Sequence, residues 1–209
     1  MMLNTVLFDL GNVLVDVDSQ RPVSRLKKRF PSISEQRISA FFDHSELCLQ
    51  FQTGRVSSHV FYEGFRNAVG EDFSYDYFKH LWQDMFSPIR PMIDLLPDLR
   101  ARYRLILLSN TDELHAEYIG HQYGFYHYFH HLIFSYEVGC LKPGKEIFQV
   151  ALETSQSDPQ RCVFIDDLEK NVQTAVSVGM RGIPFKGYKH FVQDWNELGE
   201  DLVLQRESS

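Results

Sequence analysis

The sequence predicts an α/β fold: a doubly wound parallel sheet of five strands, with a helical segment inserted after the first strand. Three observations predict it. Short runs at 5–8, 105–108, 132–135, 162–165 and 182–185 read as strands, and the first of them is apolar on both faces with no 3.6-residue period. From residue 91 onward these runs alternate with stretches of helical spacing, which demands crossover connections and hence parallel strands. Between the first and second runs lies a long segment whose apolar residues recur every three or four positions, with no strand expected in it.

Taken in order, Thr5-Val6-Leu7-Phe8 is the first strand and runs directly into Asp9, with Gly11 ending the run. The insertion follows. Val23, Leu26 and Phe30, then Ile38, Phe41 and Phe42, then Val60, Phe61 and Phe65 mark successive short helices, punctuated by Pro31, Gly54, Gly70 and Pro88. Ser34, Ser57 and Ser58 are candidate N-caps. The segment is rich in aromatics, including Phe51, Phe73, Phe78, Trp82 and Phe86, which are expected to form a small core of their own, with a few lining a pocket. Helices are then expected over 91–102, 113–123, 145–153 and 168–178, and fraying over 200–209. This divides the chain into a core made of 1–17 and 91–209 and an inserted helical unit at 18–90.

Composition excludes several functions. The chain has 209 residues, 44% of them hydrophobic, enough for one core with a small accessory unit. A net charge of −7 and a pI near 5.7 lack the clustered Lys and Arg of a nucleic-acid surface. No apolar run reaches the ~18 residues of a membrane span, and no basic and apolar leader precedes the first strand. Cys48, Cys140 and Cys162 are odd in number and scattered, which speaks for a reducing, cytoplasmic setting. Cys162 is expected to be buried, and packing is the expected role of Cys140.

Each strand ends in polar residues of a distinct kind. The first ends at Asp9, the second at Ser109-Asn110-Thr111 and the fourth at Asp166-Asp167, while Lys142-Pro143 follows the third. In a parallel sheet with right-handed crossovers, these ends share one edge, so the residues converge on one crevice. Three carboxylates in one crevice repel, and a bound cation keeps them ionised. An all-oxygen ligand set selects Mg2+ over zinc, and such a site binds a substrate phosphate. Ser109 offers a hydroxyl and neighbouring N–H groups at a helix start, and Lys142 a positive charge for phosphoryl oxygens. Asp9 is then the nucleophile of an in-line displacement, forming an aspartyl-phosphate that water hydrolyses.

The ordered set Phe-Asp-Leu-Gly-Asn-Val, Leu-Ser-Asn, Leu-Lys-Pro-Gly-Lys-Glu-Ile-Phe and Phe-Ile-Asp-Asp-Leu-Glu-Lys-Asn resembles the haloacid dehalogenase (HAD) superfamily. The Asp-Leu-Gly-Asn-Val form is similar to its sugar-phosphate phosphatases of the α-D-glucose-1-phosphate phosphatase type and to the phosphatase domain of soluble epoxide hydrolases. The resemblance implies a Rossmann-like core with the insertion as a helical cap, and a small phosphorylated metabolite as substrate. It implies Asp9 as nucleophile, Ser109 and Lys142 on the phosphate, and Asn110 beside it. It implies Mg2+ held by Asp9, the Gly11 carbonyl, Asp166 and Asp167, with Asn171 supporting the ligands. Whether the chain is a monomer or homodimer stays open.

Gly11 departs from the pattern. Most phosphatases of the superfamily carry a second Asp there, which protonates the leaving group; a glycine keeps only the carbonyl. General acid help is worth ~10²–10⁴ in rate. An anomeric sugar oxygen tolerates its loss better than a simple alkoxide. Asp16, Asp18, Glu113, His115 or a residue of the insertion are alternative donors, and a slow catalyst or a non-catalytic binding homologue is a further alternative. A 2-haloacid dehalogenase is another, but its chemistry needs no Mg2+, and the Asp166-Asp167 pair counts against it. The histidines His115, His121, His127, His130 and His131 crowd together. Gly124 and the adjoining strand deny them a fixed ligand face, so packing or surface roles are expected.

Overall fold

The computed structural model describes residues 2–199 and, within them, all side chains except those at 39, 40, 43 and 44. The tail expected to fray, 200–209, lies outside the described residues. The strands are β1 (Thr5–Phe8), β2 (Val15–Val17), β3 (Phe86–Pro88), β4 (Arg104–Ser109), β5 (His131–Phe134), β6 (Cys162–Asp166) and β7 (Arg181–Pro184). The helices are α1 (Gln20–Arg29), α2 (Glu35–His44), α3 (Glu46–Gln52), α4 (Ser58–Val69), α5 (Tyr75–Gln83), α6 (Arg90–Ile93), α7 (Leu96–Arg102), α8 (Glu113–Tyr123), α9 (Ser135–Val138), α10 (Lys145–Ser155), α11 (Glu169–Ser177) and α12 (Tyr188–Glu197).

Five strands form one parallel sheet in the order β5-β4-β1-β6-β7. Every residue of β1 is buried. Its two-residue period splits the core between the faces: Val6 and Phe8 pack with Leu105, Leu107, Val163 and Ile165, whereas Leu7 packs with Ile106, Leu108 and Phe164 on the other. Ile147 and Phe148 of α10 and Ala175 of α11 close the second face, while Leu99 of α7, Ile119 of α8 and Trp195 of α12 close the first. Because β1 is central, with β4 and β6 on its two sides, Asp9 stands at the middle of the C-terminal edge, where the strand order switches.

Helices α1 to α5 build a separate apolar cluster of Leu26, Ile38, Phe61, Phe65, Phe78 and Trp82 among others, joined from the core by Leu114 of α8. Phe61 is nearly inaccessible and stacks on Phe51 at 4.4 Å. The aromatics of the insertion thus make the small core that their spacing predicts. Ser57 caps α4, accepting from the Val60 amide, and Ser34 occupies the cap position of α2 without a side-chain bond. Cys162 is buried, and burial raises the thiols of Cys162 and Cys140.

The structure corrects the sequence reading in three places. The insertion ends in a strand: β3 pairs antiparallel with β2, tying its two ends together at its base. Each strand has three residues and buries only its first fully, which is too short for a two-residue period to register. The helix expected over 91–102 is two, because Pro97 near the start of α7 cannot donate back into a preceding turn. Helix α12, absent from the pattern reading, is held by Phe191 and Trp195, one helical turn apart and fully buried.

Truncating Phe61 to Ala should lower the unfolding free energy by ~3–5 kcal/mol. Val60→Ala, at a half-exposed position of the same helix, should stay within ~0.5 kcal/mol. Denaturant titration of both variants checks this.

Candidate active site

Asp9 follows β1 and extends its ladder by donating its amide to the Ile165 carbonyl at 2.9 Å. Its carboxylate is 8% exposed and meets Lys142, which is 5% exposed. The Lys142 Nζ donates to Asp9 Oδ1 and to Asp166 Oδ2, both at 2.7 Å. It also lies 5.2 Å from the Phe164 ring centroid. One ammonium therefore joins the ends of β1 and β6, reaching in from the loop before α10.

The backbone of Lys142 is held by Asn110. Asn110 Oδ1 accepts from the Lys142 amide and Asn110 Nδ2 donates to the Lys142 carbonyl, each at 2.8 Å. The amide fork thus ties the end of β4 to the lysine loop, where the Lys142–Pro143 peptide is cis. Both polar ends of the Asn110 side chain are spent on this grip.

Asp166, fully buried, accepts from the Leu168 amide at 2.8 Å, and Asn171 Nδ2 stands 3.0 Å from each of its oxygens. Asp167 is half-buried, and its Oδ2 accepts from Asn12 Nδ2 at 3.0 Å. Oxygens of Asp9, Asp166 and Asp167 lie within 4.8 Å of one another. Burial pushes Asp9 up to about 6, with Lys142 opposing the rise and Asp166 adding to it. Three acids against one ammonium leave an excess of negative charge, and the all-oxygen donor set fits a hard divalent cation. Among the described residues this is the one acidic, His or Cys cluster of that kind, so the crowded histidines do not form another. His130 Nδ1 accepts from the Leu105 amide at 3.0 Å, and His115 stacks on Trp82.

Next to this cluster a cavity of about 500 Å3 separates the core from the helical unit. Gly11, Ser109, Asn110 and Thr111 line it on the core side. Phe42, Phe65, Trp82 and Phe86 line it from the aromatic segment, resolving which of those residues face a pocket. A Cβ built on Gly11 would stand 3.4 Å from Val17 Cγ2, an ordinary contact, so space does not forbid a side chain there.

Of the four alternative proton donors named from the sequence, His115 alone lines the cavity. Asp16 is exposed on β2, Asp18 accepts from the amides of Gln20 and Arg21, and Glu113 accepts from the Ser58 amide. Two residues escaped the sequence reading. Asn12, at φ +55°, sits beside Gly11 and reaches across to Asp167; the Gly11-Asn12 turn pair directly after the strand was the available signal. Asp112 caps α8 and accepts from the His115 amide and from Trp82 Nε1. An Asp just ahead of the helix expected at 113–123 was the signal for it.

The model of the haloacid dehalogenase-like hydrolase family matches residues 3–179. The chain belongs to the haloacid dehalogenase-like hydrolases. D-ribitol-5-phosphate phosphatase of Bacteroides thetaiotaomicron is 24% identical over 185 residues, covering 85% of this chain and 89% of that protein. Flavin mononucleotide hydrolase 1 of Arabidopsis thaliana is 24% identical over 163 residues, covering 78% and 66% respectively. Among solved structures, a HAD family enzyme from B. thetaiotaomicron in complex with magnesium and inorganic phosphate superposes with a TM-score of 0.80 at 28% identity, covering 90% of this chain and 98% of that one. L-2-haloacid dehalogenase from Xanthobacter autotrophicus superposes with a TM-score of 0.65 at 17% identity over 95% of this chain and 84% of that one, a likeness of fold alone. Among the described residues of this HAD hydrolase, no helix is long and apolar enough to cross a membrane.

Replacing Asn110 by Ala removes both anchors of the Lys142 backbone. The loss should be ~2–4 kcal/mol of unfolding free energy, read by chemical denaturation.

Proposed function

We propose that this HAD hydrolase is a Mg2+-dependent phosphatase that hydrolyses a phosphorylated metabolite through an aspartyl-phosphate. The observation that carries the reading is the convergence of Asp9, Asp166, Asp167 and Lys142 beside a cavity that reaches Ser109. The phosphate-acting relatives and the relative solved with magnesium and phosphate support it.

In this reading Asp9 attacks phosphorus in line: an Oδ–P bond forms as the bond to the leaving oxygen breaks, and water then releases phosphate and restores the carboxylate. Lys142 balances charge on the phosphoryl oxygens, and its double tether to Asp9 and Asp166 removes the cost of orienting it at the moment of reaction. Ser109 and neighbouring amides at the start of the following segment receive the remaining oxygens. Asp9, Asp166, Asp167 and the Gly11 carbonyl are the groups that would hold Mg2+, which supplies positive charge to the developing phosphoryl negative charge. Asn171 and Asn12 orient Asp166 and Asp167 by the bonds described. Asn110 acts on the phosphate indirectly, by holding Lys142. The helical unit over 18–90 is a cap that excludes water from the cavity.

The ribitol-5-phosphate relative supports a sugar or polyol arm attached to the phosphate. Within that class Gly11 favours an anomeric sugar phosphate, because a polyol phosphate leaves as a simple alkoxide that needs protonation.

Phosphate release from a panel of phosphorylated metabolites should require Mg2+ and stop with chelator. Asp9→Asn should reduce kcat to background while circular dichroism stays native; near-wild-type turnover would remove Asp9 as nucleophile. Because a Cβ at Gly11 meets only Val17, at contact distance, Gly11→Asp should raise kcat toward simple alkyl phosphates by up to ~10², and should matter least for anomeric phosphates. Steady-state kinetics on the two ester classes checks the sign.

A further inference from the structure

We propose that the cavity beside Asp9 takes a phosphate ester whose alcohol carries an apolar ring, held between the core and the helical unit. The phosphate end of this inference rests on the phosphatase reading above; the ring end rests on the cavity wall itself.

A volume of about 500 Å3 lies within the ~300–1,000 Å3 range that accommodates drug-sized ligands, more than a phosphate and a short polyol need. Much of its lining is apolar: Val17, Val23, Leu26, Phe42, Met85 and Phe86 line it together. Phe42 is the telling member. It is 39% exposed although it stacks on Trp82 with ring centroids 5.5 Å apart and packs against Phe65. Its open face adjoins Val23, Leu26 and Phe65 in the same wall, so the apolar side of the cavity is continuous rather than a single ring.

Of the polar lining on the core side, three side chains are already engaged, while Ser19, Gln20 and Gln52 of the helical side can meet a polar arm. Asn110 is spent on Lys142. Asp112 accepts from the His115 amide and Trp82 Nε1, and the His115 ring nitrogens stand 3.0 Å from Asp112 Oδ2 and from the Trp82 carbonyl. These bonds fasten the helical unit to the core and leave the two side chains little capacity for hydroxyl groups. Hydroxyls set against the valine and phenylalanine part of the wall would lack partners, which is costly, whereas a ring buries apolar surface there. A sugar or polyol arm next to the phosphate is compatible with this; a sugar with nothing beyond it leaves the apolar wall facing water.

The experiment separates ring recognition from turnover by using non-hydrolysable probes. Naphthylmethyl phosphonate and methyl phosphonate are titrated calorimetrically into the wild-type chain with Mg2+, and phosphate release is measured for naphthylmethyl phosphate and glycerol phosphate. The naphthyl phosphonate should bind about 10²-fold more tightly, as expected for burying roughly 100 Å2 of ring surface. Phe42→Ala and, independently, Val23→Asn should each cut that ratio several-fold, with native circular dichroism. Equal affinities for the two phosphonates, or a preference for glycerol phosphate in kcat/KM, overturns the inference while leaving the phosphatase reading intact. Tight, ring-dependent binding with no phosphate release from any ester supports the ring site and sinks the phosphatase reading instead.

Discussion

The arrangement depends on one buried ammonium. Lys142 lies in the interior between Asp9 and Asp166, which would otherwise be two uncompensated carboxylates at the ends of neighbouring strands. Burying any of the three alone would be costly, and together they are tolerable because each charge meets its opposite within hydrogen-bond distance. The pairing is not complete. Burial and Asp166 still hold Asp9 up near 6 against the pull of Lys142. The site thus retains an appetite for further positive charge, which a hard cation among the three acids satisfies.

Around that ammonium the fold supplies positions in layers. The sheet sets the two acids side by side because β1 and β6 are adjacent and parallel in register, Phe8 against Ile165. A side-chain amide then sets the lysine, since its loop comes from beyond β5 and has no ladder of its own with β1. Asn110 gives it one, bridging from the end of β4 to both the amide and carbonyl of Lys142. Asn171 and the Leu168 amide do the same for Asp166 from the start of α11. Precision at the centre comes from these amides, which are neutral and add no charge to an already crowded site.

The helical unit is attached through the same segment that ends in Ser109 and Asn110. Asp112 holds Trp82, His115 stacks on it, Glu113 receives the Ser58 amide and Leu114 enters the unit's own apolar cluster. Four consecutive residues at the start of α8 therefore seat the unit over the crevice, a few positions after the strand end that faces it. The position of the unit and the shape of the crevice are consequently coupled through a short stretch of chain.

Much of this was legible in the chain. The apolar runs located β1, β4 and β6 because a buried strand needs both faces hydrophobic, the strand–helix alternation placed β5 and β7, and the polar residues after the first four runs marked the edge where they converge. The insertion's aromatic core was legible from its spacing for the same reason. Three features were not: the β2–β3 ribbon is too short to impose a period, the break at Pro97 divides one apolar pattern into two helices, and α12 carries only Phe191 and Trp195 as its buried residues. At the site, the chemical inventory could be read from the chain alone: which acids, which lysine, and a glycine where an acid is usual. Folding was needed to show that Asn110 grips the lysine backbone, that Asn12 reaches Asp167, and that the cavity wall beside them is largely apolar. Those facts depend on residues brought together from separate elements, and no local pattern encodes which side chains a folded sheet edge will turn toward one another.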